Sequence, residues 1–351
     1  MERDRERPTN ALPNHALRQA QDVGWRSGHG PHIAEVPMRQ ARILIVGAGL
    51  VGGSAALFSA VAIPSAEIVI VDIERVRADA QALDLAHATA FWGHDRVRAG
   101  EYEDAEGADI VVVTAGVGVR PGQTRLDLIQ TNARILDGII ERIAPVAPQA
   151  IYVIATNPCD ALAAHARRRL ACARERVIST GTALDTARLR ALLSDRLGVV
   201  APAIDAYVIG EHGESALIHW SGASVAGLPL ELFLARAGKQ FGPASRSLLL
   251  QSVHQAAKQI KEGKSATHYG IASGIARICQ AIVHNTNGIL SVGIVHAEIE
   301  GVPEVCISLP MLVNAAGAHL LAYPALDGPE CEALQRSAAI VKQVTDSIVA
   351  V

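Results

Sequence analysis

The chain has 351 residues, enough for two domains with packed cores. Half of them are apolar but only 3% are aromatic, so the interior must be mostly Ala, Val, Ile and Leu, as in parallel sheets covered by helices on both faces. A formal net charge of −3 removes the electrostatic reason to expect nucleic acid or an anionic membrane as a partner, and no apolar run is long enough to span a bilayer.

Residues 1–37 stand apart. Charges of both signs crowd Glu2 to Arg7, and Pro, Gly, Asn and His are scattered as far as Pro37. There is no apolar segment of a secretory signal, and the acidic residues do not fit a transit peptide. The stretch is expected to be a disordered N-terminal extension. Met38, just before the first strand, is an alternative start.

From Arg42 onward strands and helices alternate. Ile43 to Val46 reads as a short buried strand, Leu50 to Ala62 as a helix, and Glu67 to Asp72 as the next strand. A helix follows from about Glu74 to His87, then a strand from Asp109 to Thr114 and a Gly-containing loop from Gly116 to Thr124. Leu126, Ile129, Ala133, Leu136, Ile140 and Ile143 recur at helical spacing, and Ala150 to Ala155 is a further strand. This order implies an α/β fold with a doubly wound parallel sheet. The second half is mixed. Helices are expected near Ala183 to Leu197, Ser245 to Lys261, Tyr269 to His284 and Pro329 to Ala350. Strands are expected near Ala206 to Ile209, His219 to Val225, Gly288 to Ala297 and Val305 to Leu309.

Gly47-Ala48-Gly49-Leu50-Val51-Gly52 is a GxGxxG that ends one strand and starts a helix. Gly47 permits the tight turn, Gly49 lets the backbone approach a pyrophosphate, and Gly52 lets helix and strand pack closely. Asp72, at the end of the second strand, is placed to bind a ribose 2′-hydroxyl. Its neighbours Ile73 and Glu74 offer nothing to a 2′-phosphate, so NAD is favoured over NADP. The domain reading is a Rossmann-type NAD-binding domain over 38–180, followed by a mixed α+β substrate-binding and catalytic domain over 181–351.

The second constellation is Val208-Ile209-Gly210-Glu211-His212-Gly213-Glu214, with Asp185-Thr186-Ala187-Arg188 upstream. One imidazole, one carboxylate and one guanidinium are the minimum set for reducing a 2-oxo acid. His212 carries the proton, Asp185 orients it and stabilises its charged form, and Arg188 holds a carboxylate through two parallel hydrogen bonds. Cys159, Cys172, Cys279, Cys306 and Cys331 are odd in number and lack CxxC spacing. They read as reduced thiols of a cytoplasmic protein, with no metal site.

With these pieces in place the chain resembles the L-lactate and malate dehydrogenase family, closer to the lactate branch, from Arg39 to the C-terminus. Further stretches that carry the resemblance are Val112-Val113-Thr114-Ala115-Gly116, Pro121-Gly122-Gln123-Thr124-Arg125-Leu126-Asp127-Leu128, Ala155-Thr156-Asn157-Pro158 and Gly181-Thr182-Ala183-Leu184 leading into Asp185. The resemblance implies that His212 is the acid that protonates the forming alkoxide, with Asp185 its partner and Arg188 the carboxylate clamp. It makes Arg125, at the end of a loop that closes over substrate, the group that polarises the carbonyl. Asn157 would contact the nicotinamide ribose and the histidine. Thr114, Ala115, Gly116, Asn132 and Thr156 would join the cofactor site, and Thr267 would line the substrate pocket; for Thr267 a helix N-cap role is an equal alternative. The family also implies a small 2-oxo or 2-hydroxy acid substrate and a homotetramer or dimer.

Two positions depart from the family pattern. Val119 stands where lactate enzymes usually carry Gln and malate enzymes Arg. Valine next to the distal end of the substrate favours a neutral, even larger, 2-oxo acid, because desolvating malate's second carboxylate against it is costly. Arg120 would reach inward if the loop register slipped. Asp205 stands where allosteric relatives use a His, with Arg190, to bind fructose 1,6-bisphosphate; a carboxylate there repels a phosphate. Lactate and pyruvate are the expected pair. A malate or an L-2-hydroxyisocaproate type of dehydrogenase is the nearest alternative, and an NAD-binding protein without catalysis is the remote one. Val119→Arg should raise activity on oxaloacetate and lower it on pyruvate, shifting the kcat/KM ratio by roughly 10²-fold or more. An unchanged preference would mean that the side chain points away from the pocket.

Overall fold

This computed structural model describes residues 40–94, 96–118 and 124–348; the extension expected over 1–37 lies outside them. The first half runs β1 (Arg42–Val46), α1 (Leu50–Ala62), β2 (Glu67–Val71), α2 (Arg75–Ala90), β3 (Val97–Ala99), β4 (Ile110–Val113), α3 (Arg125–Ile143), β5 (Ile151–Ile154), α4 (Cys159–Arg169) and β6 (Val177–Ser179). β1 is the central strand, paired in parallel with β2 on one edge and β4 on the other. β3 extends the β2 side, and β5 and β6 extend the β4 side, all parallel. The strand order therefore reverses between β1 and β4, which places a ligand crevice beyond their carboxyl ends.

Alternation along the strands divides the core. Ile43, Ile45, Ile68, Ile70, Ile110 and Val112 join one apolar cluster, and Leu44, Val46, Val69, Val71, Val111 and Val113 join another. α1 and α8 (Tyr269–Val283) cover the first face, and α3 and α4 the second. With both faces covered, these strands read as unbroken apolar runs. α1 buries Gly52, Gly53, Ala55, Ala56, Ser59 and Ala60, and this small-residue face lets α8 approach closely.

α4 and β6 are not legible in the sequence. α4 is buried at every position from Cys159 to Ala166, and a helix enclosed on all sides shows no amphipathic stripe. Its His165 Nε2 lies 2.8 Å from Asp137 Oδ1 on α3, and Arg169 Nε lies 3.2 Å from the same oxygen. β6 has three residues, too few for periodicity to register.

The second half contains α5 (Ala183–Leu197), β7 (Ile204–Asp205), β8 (Val208–Ile209), β9 (Leu217–Ile218), β10 (Ser224–Val225), β11 (Leu228–Pro229), α6 (Leu230–Arg236), α7 (Pro243–Lys264), then α8, β12 (Gly288–Ile299), β13 (Val302–Asn314), β14 (Gly317–His319) and α9 (Gly328–Asp346). β12 and β13 form a long hairpin, and β12 pairs antiparallel with β6 at Gly293 and Ser179. One nine-stranded sheet, β14-β13-β12-β6-β5-β4-β1-β2-β3, thus crosses the boundary drawn at 180/181. The hairpin covers what would otherwise be an open sheet edge. A separate cluster of Leu189, Leu193, Ile204, Val208, Val225, Leu234 and Val253 joins α5, α6 and α7 to the short strands.

Of the strand expected from His219 to Val225 only Ser224 and Val225 form one, β10; His219 to Ala223 is corrected to a turn between β9 and β10. Ala223 N–H donates to Trp220 O at 3.1 Å, and Ser221 N–H donates to Glu330 Oε1 on α9 at 2.9 Å. A backbone donor captured by a distant carboxylate is unavailable to a sheet ladder. Of the strand expected from Ala206 to Ile209 only Val208 and Ile209 form one, β8; β7 ends just before it at Asp205. α9 starts at the capping box of Asp327 and Glu330 and ends at Asp346; Ala350 lies outside the described residues. Among the described residues no helix is long and apolar enough to cross a membrane.

Packing at the β1–α1 turn generates a test. A Cβ on Gly52 would lie 1.8 Å from Gly47 O, whereas one on Gly49 would meet nothing within 4 Å. Gly52→Ala should cost about 1–3 kcal/mol in urea unfolding, as overpacking does, while Gly49→Ala should unfold near wild type. Equal stability of the two variants would sink the packing argument.

Candidate active site

The chain leaves β1 through Gly47, whose φ of +110° belongs to the left-handed region that a side chain disfavours. Gly47 N–H donates to Val71 O at 2.7 Å, and Thr114 Oγ donates to Val46 O and Gly47 O at 3.1 Å each, so the ends of β1, β2 and β4 are tied at the turn. α1 starts after Gly49, which caps it without a side chain. Leu50 and Val51 begin its first turn, where unpaired backbone N–H groups and the helix dipole favour an anion.

A cleft of about 640 Å³ opens here, lined by Gly47, Gly49, Asp72, Thr114, Ala115 and Gly116 from the sequence reading. Tyr102, Ile135, Ile139 and Arg142 also line it and were not read from the sequence, because none of them belongs to the Gly47 to Gly52 turn or to the other quoted motifs. Arg142 sits over the Tyr102 ring at 4.0 Å. The Asp72 side chain is only 7% exposed, and its position is set by Ala48 N–H on Oδ2 at 2.7 Å and Glu74 N–H on Oδ1 at 2.9 Å. The turn without side chains, the helix N-terminus and the fixed carboxylate together suit a dinucleotide. Arg75 and Arg77 also line the cleft, a feature the reading of Ile73 and Glu74 missed. Carboxylates hold both: Arg75 pairs with Asp79 and Glu101, and Arg77 with Glu74 and, at 3.6 Å, Asp72.

Asn132 and Thr156 are buried and brace the cleft from behind. Asn132 Oδ1 accepts Val117 N–H at 2.8 Å and its amide donates to Asn157 O at 2.8 Å. Thr156 Oγ donates to Ala115 O at 2.7 Å. Asn157 is exposed at the end of β5, before a cis bond to Pro158.

The residues expected to transfer the proton meet although they come from separate elements. Asp185 and Arg188 lie on α5, and His212 on the turn after β8. His212 Nδ1 lies 2.6 Å from Asp185 Oδ2, and Arg188 Nη1 donates to Asp185 Oδ1 at 2.9 Å. Burial works against ionising Asp185, but the hydrogen bonds and charges of His212 and Arg188 outweigh it and hold the carboxyl below the usual range. Burial likewise works against charging His212. The hydrogen bond and charge of Asp185, helped by the charge of Asp160, outweigh it and raise the imidazole above its ordinary value. The pair is thus biased towards imidazolium and carboxylate. With Nδ1 committed to Asp185, Nε2 is the nitrogen suited to exchange a proton with a bound acid.

Thr267 is half-buried and lines a cavity of about 460 Å³ with Lys264, His268 and Tyr269. The N-cap alternative is corrected: His268 occupies the cap position of α8, with no side-chain cap bond. Val119, Arg120 and the Arg125 side chain lie outside the described residues; α3 itself begins at Arg125, behind a capping box of Thr124 and Asp127. Asp160, whose Oδ2 accepts His212 N–H at 2.7 Å, is a site residue that sequence reasoning missed. The only signal was a carboxylate three positions after Asn157.

Two family profiles match the chain: the lactate/malate dehydrogenase NAD binding domain over residues 41–179, and the lactate/malate dehydrogenase alpha/beta C-terminal domain over 182–351. The L-lactate dehydrogenase of Thermus aquaticus is 43% identical over 307 residues, covering 88% of this chain and 99% of the relative. That of Geotalea daltonii is also 43% identical, over 310 residues with the same coverage. Among solved structures, a lactate dehydrogenase enzyme from a Medee basin deep-sea metagenome library superposes with a TM-score of 0.84 at 34% identity, over 88% of this chain and 99% of that one. The minor L-lactate dehydrogenase of Enterococcus mundtii, in its ligands-bound form, gives 0.83 at 31%, over 89% and 99%.

The fixed Asp72 carboxylate should repel a 2′-phosphate. Asp72→Ser should improve the NADPH affinity relative to NADH by roughly tenfold or more, about 1.4 kcal/mol, in a fluorescence titration. An unchanged ratio would remove Asp72 from the cofactor site.

Proposed function

The chain belongs to the lactate/malate dehydrogenase family, and on that basis we propose that it is an NAD-dependent L-lactate dehydrogenase interconverting L-lactate and pyruvate. The observation that carries the proposal is the His212–Asp185–Arg188 cluster in a chain with an NAD binding domain. When bound, NADH supplies hydride to the substrate carbonyl. His212 donates its Nε2 proton to the developing alkoxide and takes it back in the reverse direction. Asp185 keeps the ring oriented and stabilises its charged form. The remaining donors of Arg188 hold the substrate carboxylate, and Arg125 polarises the carbonyl. Asn157 meets the nicotinamide ribose, and Thr267 and Val119 bound the substrate's distal end. An apolar Val119 supports pyruvate over oxaloacetate; parallel assays with pyruvate, oxaloacetate and 2-oxoisocaproate decide between lactate, malate and L-2-hydroxyisocaproate types.

The domain division at 180/181 belongs to this proposal, as do a cytoplasmic location and a homotetramer or dimer. Exposed Val76 and Leu83, one heptad apart on α2, and Phe91 and Trp92 after it support a self-association surface. Arg190 Nη2 lies 3.5 Å from Asp205 Oδ1, and this pairing supports a lack of response to fructose 1,6-bisphosphate.

His212→Asn should lower pyruvate turnover by ~10²–10⁴-fold while leaving NADH affinity nearly unchanged. Retention of more than about a tenth of the activity would end the general-acid assignment. The pH dependence has a definite sign. Reduction needs protonated His212, so its rate holds at low pH and falls as pH rises through the raised imidazole value; oxidation follows the opposite trend. In Asp185→Asn the fall should come at lower pH, which stopped-flow pH profiles would show.

A further inference from the structure

We propose, building on the NAD-dependent dehydrogenase reading, that Arg134 on α3 is the cation that holds the diphosphate of the dinucleotide, and that Gly138, one turn further on, keeps the space beside it clear. Four arginines line the cofactor cleft: Arg75, Arg77, Arg134 and Arg142. Three of them are matched by carboxylates. Arg75 pairs with Asp79 and Glu101, Arg77 with Glu74 and Asp72, and Arg142 with Glu103. Among the described residues Arg134 has no carboxylate partner. Its Nε donates to Gln130 O at 3.3 Å, one turn back on its own helix, which leaves both Nη groups for a ligand.

Charge calls for a cation here. Each phosphate of a dinucleotide carries a negative charge, and the start of α1 offers only about half a positive charge. Asp72 and Glu101 also stand on the cleft wall, and both repel an anion. The three matched arginines do no more than offset carboxylates. Arg134 supplies the missing positive charge, and its planar guanidinium can give two parallel hydrogen bonds to one phosphate.

Register along α3 puts that charge at the right level. Arg134, Ile135, Gly138, Ile139 and Arg142 face the cleft, at spacings that recur on one side of a helix. Just before them Asn132 donates to the carbonyl of Asn157, the residue assigned above to the nicotinamide ribose. At the other end Arg142 sits over the Tyr102 ring, which with Ile135 and Ile139 makes an apolar wall suited to adenine. At about 1.5 Å per residue, Arg134 stands about 3 Å along the axis from Asn132 and about 12 Å from Arg142. It therefore lies between the nicotinamide end and the adenosine end, where a diphosphate joins the two riboses.

Gly138 is an independent observation that points to the same ligand. It is exposed in the interior of a 19-residue helix, where glycine is destabilising relative to alanine. Packing does not demand it, because a Cβ there would meet nothing within 4 Å. A ligand that passes close to the helix does. Arg134 and Gly138 are four positions apart, so the cation and the gap face the same space.

The test uses the full-length protein with Arg134→Ala, Arg134→Lys and Gly138→Leu. The readouts are melting temperature, KM for pyruvate at saturating NADH, NADH affinity by fluorescence, and ADP-ribose and adenosine affinities by calorimetry. ADP-ribose carries the diphosphate and adenosine does not. Arg134→Ala should weaken ADP-ribose and NADH about tenfold, leave adenosine and the pyruvate KM within about twofold, and lose less at high salt. Arg134→Lys should recover part of the loss. Gly138→Leu should melt at or above the wild-type temperature yet bind NADH roughly fivefold more weakly. Wild-type ADP-ribose affinity in Arg134→Ala, or equal losses for ADP-ribose and adenosine, would overturn the proposal, as would wild-type NADH affinity in Gly138→Leu. A wild-type protein that bound neither NADH nor ADP-ribose would overturn the cofactor reading as well; wild-type binding with unchanged variants removes the role of Arg134 alone.

Discussion

Burial of β1 on both faces is the constraint on which the rest of the structure depends. Ile43 and Ile45 face one apolar cluster and Leu44 and Val46 the other, so the strand is stable only if helices cover both sides. Helices on both sides require crossovers between parallel strands, and the strand order must then reverse somewhere. It reverses beside β1, and the first crossover leaves β1 at Gly47. The cofactor cleft therefore follows from how the sheet is wound and is not added to it.

The charged site is held in place by elements from both halves of the chain. Asp185 and Asp160 are both carboxylates withdrawn from water, which is unfavourable unless each is paired. Each has its partners: Asp185 has His212 and Arg188, and Asp160 has the His212 N–H and Ser179. His212 is common to both sets. The turn after β8 is thus fixed by the same hydrogen bonds that relieve the cost of burying the carboxylates. The continuous sheet contributes as well, since β12 packs against β6 and brings Gly293 up to Asp160.

Several features resisted sequence reading for identifiable reasons. α4 is buried all round and rich in alanine, so no amphipathic period betrays it. The turn at Trp220 to Ala223 looks strand-like until the carboxylate of Glu330, 109 positions away, takes its backbone donor. Asn132 and Thr156 are expected in the cofactor site, and only the fold shows that their side chains brace the cleft from behind by hydrogen bonds to Val117, Asn157 and Ala115.

What the sequence by itself determined was everything encoded by local spacing. The glycine turn with Asp72 a helix and strand later, the alternation of strands and helices, and the separate motifs that carry Asp185 with Arg188 and His212 were legible because each depends on residue type at short range; that Asp185 meets His212, 27 positions on, is decided by the fold. Only the tertiary structure decided which distant groups meet. The β12–β13 hairpin completes the sheet, Arg142 lies over Tyr102 in the cofactor cleft, and the Asp160 carboxylate meets the His212 N–H. These pairings span 52 residues in the case of Asp160 and His212, and more for β6 and β12. Hydrogen bonds and buried charge between such segments are set by packing, and packing leaves no periodic trace in the chain.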